Sequence, residues 1–196
     1  MWLLAREARS RGHTVLNPGY PSLFFGVERL VRDWVEPALD AAREVDDGKV
    51  NVVTHSLGGI LLRLAIGDAS PAWLGNVVMI APPSGGSEIV DYLGKQRLAG
   101  LLGPTGRRLG TGRDDLPASL PPIRFHCGIL AADKNVNPVL AAILPGKSDG
   151  KVTLASAFVA PCADRAVVHA THTFSPSHPE AIRLALGFVE TGKFPQ

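Results

Sequence analysis

The sequence predicts an α/β fold built on a parallel sheet. Helical stretches with apolar residues on one face alternate with short, continuously apolar, β-branched runs of the kind that form strands covered on both sides. The strongest of these runs, Val50-Asn51-Val52-Val53, passes through Thr54-His55-Ser56 directly into a helix, as strands of such sheets do. Size agrees, because 196 residues that are 45% hydrophobic make one full core and are too few for two comfortable ones. A single domain over residues 1–196 is expected.

In chain order, residues 1–11 place Leu4, Ala5 and Ala8 at helical spacing and stop at Gly12. A short strand is expected over His13–Asn17, ended by Pro18-Gly19-Tyr20-Pro21-Ser22. A second helix over 25–44 has one apolar face, and Pro37 within it predicts a kink or a split. Asp46-Asp47-Gly48 then turns the chain into the Val50 strand. The helix from Leu57 to Gly67, a strand over Asn76–Ala81 broken by Pro82-Pro83, and a helical stretch from Glu88 to Leu102 follow. Residues 84–122 form an irregular excursion, expected either to cover a site as a lid-like insertion or to be an ordinary surface loop. Arg107, Arg108 and Arg113 within it read as solvated charges. A strand over Ile123–Ala131, a long loop, a short strand at Ala166–His169 and an amphipathic helix from Pro179 to Glu190 complete the chain, with no internal repeat.

Everything points at Ser56. A serine at the tip of a strand-to-helix turn is exposed and aimed, and the next backbone N–H, that of Leu57, points where an oxyanion would form. A chance Ser-x-Gly, or a phosphate-binding turn, is the plainer reading. Thr54-His55-Ser56-Leu57-Gly58 resembles the G-x-S-x-G nucleophile elbow of the α/β-hydrolase superfamily, with threonine at the first glycine position. Asn17-Pro18-Gly19-Tyr20-Pro21-Ser22, Ala81-Pro82-Pro83-Ser84-Gly85-Gly86-Ser87-Glu88, Asp149-Gly150 and His172-Thr173-Phe174 extend the likeness to the triacylglycerol-lipase-like and inositol-deacylase-like bacterial hydrolases.

That resemblance implies a serine esterase working through an acyl-enzyme, with no organic cofactor and no metal. Such a serine needs a histidine base, and the base needs a carboxylate. The superfamily's chain order is serine, acid, histidine. It implies Asp149, in an Asp-Gly-x-Val turn, as the acid, with Asp133 after the Ile123 strand as the alternative, and His172 as the base. His55 is expected to line the pocket wall. His169, His172 and His178 match no metal-ligand spacing. Leu93, Leu98, Leu101 and Leu102 would suit an acyl chain. A thioesterase, an acyltransferase, or a non-catalytic protein that keeps the pocket would share most of these features.

Proteins of the superfamily place a central strand and a His-Gly loop, source of a second oxyanion N–H, before the helix with which this chain opens. The sequence has no such segment, so the fold is expected to lack that strand, and Met1 is expected to be an internal methionine. Net charge is +2, from 20 basic and 18 acidic residues without a basic stripe, which argues against nucleic acid as a partner and leaves a small-molecule or lipid ester. Cys127 and Cys162 read as buried or incidental thiols. No run approaches the roughly 20 apolar residues of a membrane span, and no secretion signal is visible, so a cytoplasmic location is expected, with secretion open if the chain begins upstream.

Overall fold

Four strands make one fully parallel sheet in the computed structural model, which describes residues 1–45 and 48–196. The first helix, α1 (Trp2–Ser10), buries the Leu4, Ala5 and Ala8 that its spacing singles out. Next, α2 (Val27–Leu30) passes through a π-helical turn, Val31–Val35, into α3 (Glu36–Val45). The widened turn absorbs the hydrogen bond that Pro37 cannot donate, so the split expected at the proline falls just before it. Of the expected turn at 46–48, Asp46 and Asp47 lie outside the described residues.

The sheet begins with β1 (Val50–His55), followed through Ser56 by α4 (Leu57–Ile66) and then β2 (Leu74–Ile80). The excursion that follows carries α5 (Glu88–Lys95) and α6 (Gly103–Gly106) before β3 (Cys127–Ala132). Two further helices, α7 (Pro138–Ile143) and α8 (Leu154–Ala157), precede β4 (Asp164–Val168) and the closing α9 (Pro179–Thr191). Spatial order is β1-β2-β3-β4, the order of the sequence, so each strand is laid beside its predecessor.

Alternate residues of the central strands face opposite layers. Val78 and Ile80 of β2 and Leu130 of β3 pack beneath Leu4 and Ala8 of α1 and Ala181, Ala185 and Phe188 of α9. Val77 and Met79, with Cys127 and Ile129, pack on Leu62 and Ile66 of α4. The far face of α4, through Ile60 and Leu61, is covered by Val27 and Leu30 of α2. Both faces of β2 and β3 are thus dry, which is why those strands read as continuous apolar runs. The α9 helix sits so close to the sheet that a Cβ on Gly128 would lie 2.5 Å from the Phe188 ring. That helix ends at Gly192, left-handed at φ 78°, whose carbonyl accepts a hydrogen bond from His126 Nε2 at 2.8 Å.

Three expectations need correction. Residues 13–17 form no strand. They run beside a groove of about 460 Å³ that is also walled by α1, β1 and α9, and they pair with no strand. Their polar groups are met locally instead, His13 N–H donating to Ala8 O and Arg9 to Val15 O. This groove lies where the resemblance would place the further strand. The Glu88–Leu102 helix stops at Lys95, with a 3-10 turn over Ala99–Leu102. The loop after β3 contains the two helices α7 and α8, each too short to leave a periodic pattern.

Gly128→Ala is expected to cost about 1–3 kcal/mol in urea unfolding, because the added methyl must displace Phe188. Adding Phe188→Leu to that variant should recover part of the loss; independent, additive costs would contradict the packing described.

Candidate active site

The chain leaves β1 at Ser56 with φ 53° and ψ −124°, a left-handed conformation that is strained for a serine. It is held there by Ser56 N–H donating to Ile80 O at 2.8 Å and by Gly59 N–H donating to Ser56 O at 3.0 Å. The turn needs α4 to pass close over the strands. A Cβ on Gly59 would lie 3.3 Å from both Pro82 Cβ and Thr54 Oγ1, and one on Gly58 would lie 3.4 Å from the Tyr20 hydroxyl. Thr54 fits because its hydroxyl turns to Val78 O, at 3.4 Å.

Asp149 lies in a turn opened by Gly150 at φ 96° and is 2% exposed. Its Oδ1 accepts the backbone N–H groups of Lys151, at 2.9 Å, and Val152, at 2.8 Å, which fixes the carboxylate and leaves Oδ2 for another partner. That partner is His172, whose Nδ1 lies 2.8 Å from Oδ2. Its Nε2 lies 2.8 Å from Ser56 Oγ. The network assigns the imidazole proton to Nδ1, which faces an acceptor-only carboxylate, and leaves the Nε2 lone pair to the serine hydroxyl. Ser56, His172 and Asp149, singled out from the sequence, are therefore brought together, while the alternative acid is not. Asp133 pairs with the exposed His169 at 2.9 Å. His178 stands at the N-cap of α9.

Further contacts hold the imidazole in place. His172 N–H donates to Asp149 O at 2.9 Å, Ser175 Oγ donates to His172 O at 2.9 Å, and His55 Nε2 donates to the same carbonyl at 3.0 Å. His55, expected at the pocket wall, packs its ring 5.0 Å from that of His172. Burial, and then the neighbouring His172, push its pKa down to about 4, so it acts as a neutral donor. Nothing local to His55 announces this, since its partner is 117 residues away. Ser175 had a weak signal: a serine three residues beyond a histidine can turn back to its carbonyl. Leu57 is the first residue of α4, so its N–H belongs to a helix N-terminus, where such groups have no intrahelical partner. Burial raises the Tyr20 phenol to about 12, keeping it neutral beside Gly58. Among the described residues no three His, Cys, Asp or Glu side chains converge as metal ligands, and no helix is long and apolar enough to cross a membrane. Cys127 and Cys162 are free thiols.

No protein-family model matches the chain, and neither does any curated protein. Solved structures do match. Phospholipase PlaB from Legionella pneumophila superposes with a TM-score of 0.66 at 17% identity, over 92% of this chain and 53% of that one. The same phospholipase in complex with thio-NAD gives 0.67 at 18% identity, over 93% and 53%. The mature lipase BlEst2 of Bacillus licheniformis gives 0.55 at 20% identity, over 70% and 64%. The chain spans about half the length of the phospholipase and under two thirds of the lipase. Its fold is the lipase-like α/β-hydrolase fold.

His55 ties this site to pH. Neutral when folded, it regains its ordinary value of 6.5 when unfolded, so between about pH 4 and 6.5 the unfolded chain binds more protons. Its contribution is therefore complete above about pH 6.5 and is lost as pH falls toward 4, to an extent on the order of 3 kcal/mol at most. Urea melts at about pH 7 and pH 4.5 should show a smaller drop for His55→Gln than for the parent chain; equal drops would remove His55 as the cause.

Proposed function

We propose that the chain is a serine hydrolase of carboxylic esters that works through an acyl-enzyme, with Ser56 as nucleophile, His172 as base and then acid, and Asp149 as its orienter. The observation that carries this is the unbroken hydrogen-bonded series Asp149 Oδ2, His172 Nδ1 and Nε2, and Ser56 Oγ, each link at 2.8 Å. A serine hydroxyl is a poor nucleophile at neutral pH, and that series supplies what it lacks.

As Ser56 Oγ bonds to the ester carbon, His172 Nε2 takes the hydroxyl proton, and the imidazolium is stabilised by Asp149. The carbonyl oxygen becomes an oxyanion that accepts from Leu57 N–H at the positive end of α4. Collapse breaks the bond to the alkoxy group, which leaves as the alcohol with the proton from His172. Water then repeats the sequence on the acyl-serine, releasing the acid and restoring Ser56. Fixing His172 through Ser175 and His55 keeps Nε2 aimed during both proton transfers, which preserves the orientation on which such catalysis depends.

A lipid-like acyl ester suits the surroundings. Phe174 is exposed two residues after His172. Val136 is exposed next to Asn135, whose amide donates to Ser148 before the Asp149 turn, and Val139, Phe24 and Leu101 are exposed elsewhere on the surface. The likeness to a phospholipase and a lipase agrees with that substrate class. We assign the acyl chain to the excursion over 84–122, in which Leu98 is exposed.

A fluorophosphonate probe should label the purified chain on Ser56, as mapped by mass spectrometry, and Ser56→Ala should abolish the adduct. Asp149→Asn should lower turnover of a p-nitrophenyl ester by roughly 10⁴-fold. A folded chain that gives no adduct would leave the pocket as a ligand-binding site and refute the hydrolase.

A further inference from the structure

Arg63 lies on α4, about 10 Å along the helix from Ser56 at the α-helical rise, and is 6% exposed. Its Nη2 donates to Pro121 O at 2.6 Å, while its Nε has no partner. Among the described residues it makes no ion pair. The titratable neighbour that acts on it is Cys127, whose thiol is held neutral because burial pushes its pKa up to about 12. A guanidinium does not give up its proton in a protein, so the structure buries a charge without a counter-charge, which is costly.

That charge borders a cavity of about 290 Å³, walled by Ser84 and Gly85 after β2, by 110–112, and by Val159–Pro161 before β4. Ser84 lines the same cavity and is 3% exposed, and its buried Oγ also has no partner. The carboxylates nearest the 110–112 wall, Asp91 and Asp115, are already occupied: Asp91 accepts from the N–H and hydroxyl of Thr111, and Asp115 from Gly112 N–H. Two residues with unmet groups able to donate, one permanently cationic, therefore border one space. Water can complete their hydrogen bonds but not balance the charge; an oxyanion does both.

We propose that this cavity is a binding site for a small oxyanion, a carboxylate or phosphate, held by Arg63 Nε–H and Ser84 Oγ–H. Neither Ser56, His172 nor Asp149 lines it, so the site is separate from the ester chemistry and does not rest on it. A bound ion would bridge α4 to the segments after β2 and before β4, fixing the base of the 84–122 excursion.

The test is thermal unfolding of the full chain in inorganic phosphate or acetate, each against chloride of equal ionic strength. A saturable rise is expected, about 3–6 °C at ten times the dissociation constant. Arg63→Gln should abolish the rise. Ser84→Ala, which removes only a hydroxyl and keeps the charge, should weaken apparent affinity at least tenfold and carries the test if Arg63→Gln fails to fold. Flotation with phosphatidic acid vesicles against phosphatidylcholine separates a headgroup from a free ion: binding there alone, lost in Ser84→Ala, keeps the oxyanion site and assigns its source to lipid. A rise equal to that in chloride, or one unchanged in Ser84→Ala, together with no vesicle binding sensitive to Ser84→Ala, would overturn the proposal and leave the cavity to water.

Discussion

Ser56 cannot relax from its left-handed backbone conformation without undoing the contact of α4 with the sheet. Its N–H is spent on Ile80 O and its carbonyl on Gly59 N–H, so strand and helix pull the residue from both sides. The same close passage leaves a Cβ at 59 only 3.3 Å from Pro82 and Thr54 and one at 58 in contact with Tyr20 and Thr54. From this one turn follow the position of the hydroxyl at the C-terminal end of a parallel strand, the place of the Leu57 N–H at the start of α4, and the line along which His172 must approach. Because β1 is tied to β2 over most of its length, the strain is borne by the sheet as a whole.

The polar groups of the interior fall into two kinds. Around His172 every hydrogen-bonding atom of the buried series is met: the carboxylate by two backbone N–H groups and an imidazole, the imidazole by a carboxylate and a hydroxyl, its backbone by Asp149, Ser175 and His55. Such closure rigidifies a site. Around Arg63 the reverse holds, with buried donors left without partners. The two arrangements lie on one helix, α4, the first at its start and the second two turns on.

Much of this was legible in the sequence, and the boundary between what was and was not is physical. The β-branched runs, the turn at Ser56, the Asp-Gly turn and the histidine before the last helix are local chemistry, fixed by residues within a few positions of each other. The strand expected at 13–17 failed because strand formation needs a partner at ladder distance, and a groove stands there. Helices α7 and α8, of 6 and 4 residues, are shorter than the window in which a helical period becomes visible. His55 was expected at the pocket wall and Arg63 drew no reading, and what each does depends on partners 117 and 58 positions away. Side chains whose meaning is set by tertiary contact carry no sequence signature.

Winding the strands in sequence order leaves one face of the sheet to the two ends of the chain. Val78, Ile80 and Leu130 are covered on that side by α1 and by α9, the last helix, and Arg11 reaches Glu190 across the seam. On a ribosome delivering roughly 5–20 residues per second, the strands and α1 emerge well before α9 does. For that interval the nascent chain presents an open apolar face, the kind of surface that chaperones bind and that aggregates when left alone. The arrival of α9 is thus the step that closes this face.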